Sequence, residues 1–198
     1  TGNPVRPNLT KGGITRKEAA RKMGLDASKR IVLIVGGSLG ARTLNESVMA
    51  NLDLIRMSDD VQFIWQTGKF YFEEMKRRLA EQPQISNLFP TEFVQDMDQA
   101  YAAADLVISR AGAGTISELC LLGKPVILVP SPNVAEDHQT KNALALSTKN
   151  AAIHVKDADA PANLLELAVH TVNDNKRLAE LSENVLKLAL PNSAEIIA

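Results

Sequence analysis

Two glycine-rich stretches, Gly36-Gly37-Ser38-Leu39-Gly40 and Gly112-Ala113-Gly114, each stand between a short apolar run and a segment of helical periodicity. A turn of this kind, leading from strand to helix, offers free backbone N–H groups and the positive end of a helix dipole, which suits an anion and above all a phosphate. Glycine lets phosphate oxygens approach the backbone, and tight turns of this sort often need positive φ. Ser38 adds a hydroxyl donor. One such turn is weak testimony, because glycine in a strand-to-helix loop often serves packing alone. Two in the same sheet point to a nucleotide diphosphate.

Neither turn is a Walker loop, since Gly-x-x-x-x-Gly-Lys-Ser/Thr occurs nowhere in the chain. The run Gly112-Ala113-Gly114-Thr115-Ile116-Ser117 approaches the dinucleotide fingerprint but ends in serine, and Glu136 lies about where a ribose-binding acid would be sought, so a dinucleotide site stays open as a rival. Glu118 is the other acid in reach: its carboxylate can accept hydrogen bonds from two adjacent ribose hydroxyls, or merely complement the helix dipole. Gln139 and Asn142, three apart, share one helix face, and two amides at a helix start suit either sugar hydroxyls or a solvated polar face. His138 fits an exposed position. His154 and His170 have no partner legible in the sequence, and no carboxylate pair or Cys/His cluster with metal spacing occurs. Cys120, the single cysteine, lies in an apolar stretch and reads as a small core residue.

The elements that must position these groups alternate along the chain. Thr15 to Glu18 has capping-box spacing, predicting a short helix to about Met23 that stops at Gly24. Ile31 to Val35 is an unbroken aliphatic run, as expected of a strand covered on both faces, and Leu44, Val48, Leu52 and Ile55 recur at helical spacing after the first turn. Val61 to Trp65 then reads as strand, with Phe63 and Trp65 in the core; Tyr71 to Leu79 reads as helix, and Asn87 to Phe89 as a short extended piece. Leu106 to Ile108, the second turn, a helix from Thr115 to Leu122 ended by Gly123, and Val126 to Val129 make a complete βαβ unit. A helix from about Asp137 to Ser147, a strand from Ala151 to Val155 and one or two helices from Pro161 follow. This order predicts an α/β fold, a Rossmann-like open parallel sheet flanked by helices.

At 198 residues and 45% hydrophobic content the chain can bury a sizeable core as one domain. Its 22 basic and 23 acidic residues nearly cancel without long runs of either sign, which argues against nucleic acid as a partner. The lone cysteine fits a reducing compartment, and no apolar run approaches the roughly 20 residues that span a bilayer. The chain opens at Thr1 with Thr-Gly-Asn-Pro-Val-Arg-Pro, a linker or turn, and is expected to be part of a longer protein.

Three motifs in order, Gly36 to Arg42, Ser109 to Glu118 and Glu136 to Ala143, together resemble the MurG family, the peptidoglycan glycosyltransferases that move N-acetylglucosamine from UDP-GlcNAc to lipid I. Gly2-Asn3-Pro4-Val5-Arg6 ahead of them and Phe93-Val94-Gln95-Asp96-Met97 between them strengthen the likeness. It covers essentially the whole chain, but only the carboxyl-terminal half of a two-domain GT-B architecture. The resemblance implies a linker at residues 1–14 and a UDP-GlcNAc-binding domain at 15–198. It places Arg6, Gly37 and Ser38 near the diphosphate together with the helix start formed by Ala113, Gly114, Thr115, Ile116 and Ser117. It pairs the Val94 backbone with uracil, Glu118 with ribose, and Gln139 and Asn142 with the GlcNAc hydroxyls. His138 and Leu39 stand where family members carry glutamine. The implied reaction is an inverting, metal-independent transfer without a cofactor, on the cytoplasmic side of the bacterial plasma membrane. The catalytic base, the lipid I cleft and any membrane contact would belong to an amino-terminal domain, so this part alone would bind donor weakly and not catalyse transfer. The rival readings are a UDP-GlcNAc epimerase of the same fold, an NAD(P)-binding dehydrogenase domain, and a donor-binding subunit that needs a separate acceptor partner.

Overall fold

The computed structural model describes residues 13–133, 135 and 137–189. Arg6 with its Asn-Pro-Val-Arg segment, and Glu136, lie outside them. The aliphatic runs form β1 (Arg30–Val35), β2 (Val61–Gln66), β3 (Leu88–Thr91), β4 (Leu106–Ser109), β5 (Val126–Leu128) and β6 (Ile153–His154). These six make one sheet in the order β3-β2-β1-β4-β5-β6, with every neighbouring pair parallel. Alternation along each strand divides the core in two. Ile31, Leu33 and Val35 face one side with Ile64, Val107 and Leu128. Val32 and Ile34 face the other with Phe63, Trp65 and Ile108.

The first side is covered by α1 (Arg16–Lys22), α5 (Met97–Ala103), α6 (Ala113–Leu122) and α7 (His138–Ser147), through small or branched residues such as Ala19, Ala100, Leu119 and Ala143. The second is covered by α2 (Arg42–Met49), α3 (Leu52–Met57), α4 (Phe72–Ala80) and α8 (Ala160–Val172). The last helix, α9 (Asn175–Leu186), reaches both, with Leu178 in one cluster and Val185 in the other. None of the described helices is long and apolar enough to cross a membrane.

Several expectations hold in detail. Thr15 and Glu18 form a complete capping box at α1, and Gly24 follows with φ 74°. Gly123 ends α6 in the left-handed conformation at φ 65°. Phe63 and Trp65 are fully buried, the indole N–H donating to Asn45 Oδ1 at 2.9 Å.

Others need correction. The apolar series Leu44 to Ile55 forms two helices, because Asn51 breaks the run: its backbone leaves helical geometry and its Nδ2 donates to the carbonyls of Ser47 and Pro161. The stretch after Phe93 holds a helix, α5, which the sequence reading lacks; Asp96 caps it by accepting from Gln99 N–H. The strand expected over Ala151 to Val155 shrinks to Ile153 and His154. Finally, α6 begins at Ala113, two residues before the expected Thr115, so Gly112 is its N-cap.

At the amino ends of the strands a charged cluster ties α1 to the sheet. Arg16 forms a forked pair with Asp105 at 2.7 Å per arm and also donates to Ala27 O and Lys29 O. Asp105 accepts the Ile31 N–H as well. Beside it, Lys124 donates to Ala104 O at 2.8 Å, and burial pulls its ammonium down to about pKa 8 against the opposing pull of Asp105.

Candidate functional site

The strand order places a crevice between β1 and β4, where the connections turn in opposite directions, and the carboxyl ends of such strands are where open parallel sheets hold ligands. A cleft of about 870 Å³ occupies that point, lined among others by Gly37, Ser38, Arg42, Gln66, Tyr101, Arg110, Gly112, Thr115, Glu118 and Gln139. Both glycine turns are therefore brought to one cavity. A groove of similar volume along α8 and α9, about 900 Å³, includes His170, Glu166 and Asp174 but no glycine turn.

The two turns are built differently. In the first, Gly37 and Gly40 adopt φ of 94° and 99°, as a tight turn requires. A Cβ on Gly36 would lie 2.6 Å from the Ala41 Cβ, and one on Gly40 would lie 2.3 Å from the Thr67 carbonyl. Lys69 N–H and Phe70 N–H bond to the carbonyls of Ser38 and Leu39, so the β2–α4 loop braces this turn. Packing thus accounts for Gly36, and packing together with positive φ for Gly40. In the second turn Gly112 has an ordinary φ of −69°, and a Cβ on Gly112 or on Gly114 would meet nothing within 4 Å. Positive φ is not the reason for glycine there. Open space is what those residues preserve.

Both α2 and α6 start without a side-chain cap, at Ala41 and Gly112 respectively. Their first N–H groups lack intrahelical partners and open toward the cleft. At α6 these belong to Ala113, Gly114 and Thr115; the Ile116 N–H is already bonded to Gly112 O at 3.0 Å, and the Ile116 side chain packs on the core. Ile116 therefore contributes a position in the helix and no free donor. Ser117 is half-buried.

Glu118 lies in the cleft wall beyond the first turn of α6, where the pull of the helix dipole has faded, so dipole compensation explains it poorly. The Tyr101 hydroxyl donates to its Oε2 at 3.3 Å. Gln139, 8% exposed, uses Oε1 to accept the N–H groups of Ala111 (3.2 Å) and Ser131 (3.0 Å), while Asn142 Nδ2 donates to Ala111 O at 3.1 Å. The shared helix face read from the sequence is real, yet those amide atoms clamp the peptide before the second glycine turn. Asn142 is not part of the cleft wall, and His138 is exposed at the start of α7. The Val94 N–H is bonded to Gln66 Oε1 at 2.8 Å, and Val94 lines an adjoining pocket of about 340 Å³ that meets the cleft at Phe93.

Three wall residues escape the sequence reading. Arg110 carries a cation into the cleft and is held by Asp157 at 2.5 Å and by the carbonyls of Val129 and Pro130; Asp157 also accepts from Thr43 on α2. Arg42 lies over the Tyr71 ring at 5.0 Å. Gln66 spans two loops. A basic residue directly before the second glycine turn was a legible signal for Arg110; nothing local marks Gln66. The Cys120 thiol is buried and pushed up to about pKa 11, as suits a core residue. Among the described residues no group of three or more His, Cys, Asp or Glu could hold a metal ion.

The chain is 61% identical over its whole length to the UDP-N-acetylglucosamine--N-acetylmuramyl-(pentapeptide) pyrophosphoryl-undecaprenol N-acetylglucosamine transferase of Bacteroides fragilis, covering 52% of that protein. It is 59% identical to the transferase of the same name from Bacteroides thetaiotaomicron, again over all of this chain and 53% of that one. The chain thus spans about half the length of the curated relatives it matches. The crystal structure of Acinetobacter baumannii MurG superposes with a TM-score of 0.71 at 29% identity, over 96% of this chain and 53% of that chain. Residues 31–196 match the glycosyltransferase family 28 C-terminal domain, and the chain belongs to that family.

Proposed function

We propose that the cleft holds UDP-GlcNAc and that the chain is the donor-binding, carboxyl-terminal half of a GT-B transferase that passes GlcNAc to lipid I, forming lipid II. One observation carries this reading: two uncapped helix starts converge on a cavity at the strand switch point, with empty space kept at Gly112 and Gly114. The diphosphate is assigned to the N–H groups of Ala113, Gly114 and Thr115, with Gly37 and Ser38 across the cleft, Arg110 and Arg42 as cations, and Arg6 as a further one. Glu118 takes the ribose hydroxyls. Because the Val94 N–H is engaged by Gln66, its carbonyl is the edge offered to uracil. Gln139 Nε2, the amide atom opposite the one that clamps Ala111, is assigned to a GlcNAc hydroxyl; Asn142 Oδ1 is assigned to the sugar as well, which requires the donor to reach past the cleft wall to α7.

In the transfer, the acceptor hydroxyl attacks the anomeric carbon from the face opposite the leaving UDP. Charge then grows on the diphosphate, and preorganised N–H groups with the guanidinium of Arg110 stabilise it as it departs. The base that takes the acceptor proton, the acceptor cleft and any contact with the cytoplasmic face of the membrane are assigned to the other half of the relatives' length. This half alone is expected to bind donor weakly and not to transfer sugar.

Calorimetry with UDP-GlcNAc, UDP and NADH tests the ligand: binding of the first two without NADH is expected, and preference for NADH would overturn the reading. With the complete protein, UDP release that depends on lipid I is expected. Isomerised sugar without acceptor would instead mark an epimerase.

A further inference from the structure

We infer that Gln66 is a positioning residue that couples the diphosphate turn to the segment facing the nucleotide base, an inference that rests on the nucleotide reading above. In the sheet β2 lies between β1 and β3, and Gln66 stands level with Val35 on one side and Thr91 on the other. Those neighbours lead directly into the two loops concerned, Gly36 to Gly40 and Phe93 to Val94. The Gln66 side chain, with the residue 3% exposed, reaches both: Nε2 donates to Gly37 O at 2.9 Å, and Oε1 accepts the Val94 N–H at 2.8 Å. A primary amide is suited to this because it donates at one end and accepts at the other without charge.

The chemistry matters at Gly37 because that residue has φ 94° and no neighbour within 4 Å of where a Cβ would be. Packing does not set the orientation of its peptide. Two donors on its carbonyl do, the Gln66 amide and the Gly40 N–H at 3.2 Å. At the opposite end of the same strand face, Gln62 uses the same pair of amide atoms but spends both on Asp26, accepting from its N–H and donating to its carbonyl, each at 2.8 Å. Gln62 therefore clamps one residue far from the cleft, whereas Gln66 divides its two bonds between two walls of it. The backbone of the β2–α4 loop also joins the walls, through Lys69 and Phe70 N–H to Ser38 and Leu39 and through Thr67 and Gly68 N–H to Thr91 and Glu92, but Gln66 is the side chain that reaches Gly37 and Val94 themselves.

The test compares Gln66→Met, which keeps the volume and removes both bonds, with Gln66→Glu, which keeps the acceptor for Val94 and sets a carboxyl oxygen against the Gly37 carbonyl. Gln62→Met is the control. Each substitution is made in the complete protein, UDP and uridine are titrated calorimetrically into it, and thermal melting is followed separately. Both Gln66 variants are expected to bind UDP roughly ten- to hundredfold more weakly, since Gln66→Met loses both hydrogen bonds that hold the site and Gln66→Glu replaces the one to Gly37 with an opposed pair of oxygens. Uridine is expected to lose less affinity in Gln66→Glu than in Gln66→Met, because the Val94 bond survives. Gln62→Met is expected to lower the melting temperature and leave UDP affinity unchanged. Folded Gln66 variants that melt lower yet bind UDP as the wild type does would overturn the inference and make Gln66 a clamp like Gln62. Should Gln66→Met not fold, Gln66→Glu decides the matter alone. Absence of UDP binding by the complete wild-type protein would remove the nucleotide reading itself, and this inference with it.

Discussion

Gly112→Ala separates a glycine kept for a ligand from one kept for packing. Alanine adopts φ −69° without strain, and its methyl group would enter space with no atom within 4 Å. Replacing glycine by alanine at an N-cap costs the helix roughly 0.5–1 kcal/mol. The narrower unfolded ensemble returns about 0.4–1 kcal/mol. The two nearly cancel, so urea unfolding is expected to give a stability within about 0.5 kcal/mol of wild type. Affinity should behave otherwise. A methyl group beside the first N–H groups of α6 holds a phosphate oxygen beyond bonding distance, and one lost hydrogen bond to a charged acceptor is worth about 1.5–3 kcal/mol, or roughly 10- to 150-fold in the Kd for UDP. Calorimetry with UDP on the folded variant reads this directly. Unchanged affinity would refute the diphosphate assignment to the second turn. A stability loss of several kcal/mol would refute the argument that the space at Gly112 is empty for a ligand.

Gly40→Ala should do the opposite, costing about 2–4 kcal/mol in urea unfolding, because φ 99° and a Cβ 2.3 Å from the Thr67 carbonyl add backbone strain to overpacking. Glu118→Ala is expected to weaken UDP binding by about 1–3 kcal/mol and 2′-deoxy-UDP binding by less; equal losses would take Glu118 off the ribose. Lys124 gives a pH signature: its folded pKa of about 8 lies below the ordinary 10.5, so between these values the unfolded chain binds the extra proton and stability rises with pH. The difference in unfolding free energy between wild type and Lys124→Met should therefore grow in favour of wild type by up to about 3 kcal/mol from pH 8 to pH 10.5, and a flat difference would contradict the depressed pKa.

Where a signal was local, the sequence carried it. The capping box at Thr15, the unbroken run of β1, the αL stop at Gly123 and the strand-turn-helix order around both glycine turns depend on residues within a few positions of one another. Periodicity does not reveal helix α5, because its apolar face is made largely of alanine, which gives little contrast, although the Asp96-Met97-Asp98-Gln99 spacing is itself a capping signal. Gln139 and Asn142 show a half-legible case. Their common face follows from helix geometry, whereas their partner, the Ala111 peptide, lies 28 and 31 residues away in the chain.

The sequence by itself determined most of the strands and helices, α5 and the break at Asn51 apart, that two glycine turns stand at strand ends, and which family those motifs resemble, because periodicity, capping and turn chemistry act over short distances. Only the tertiary structure decided the strand order that brings both turns to one cleft. Only it separated Gly36 and Gly40, packed against neighbouring atoms, from Gly112 and Gly114, which face empty space. It also showed Gln66 bridging loops 29 and 28 residues away from it. Those outcomes depend on where distant backbone atoms come to rest, and that is settled when the two faces of the sheet bury their apolar side chains.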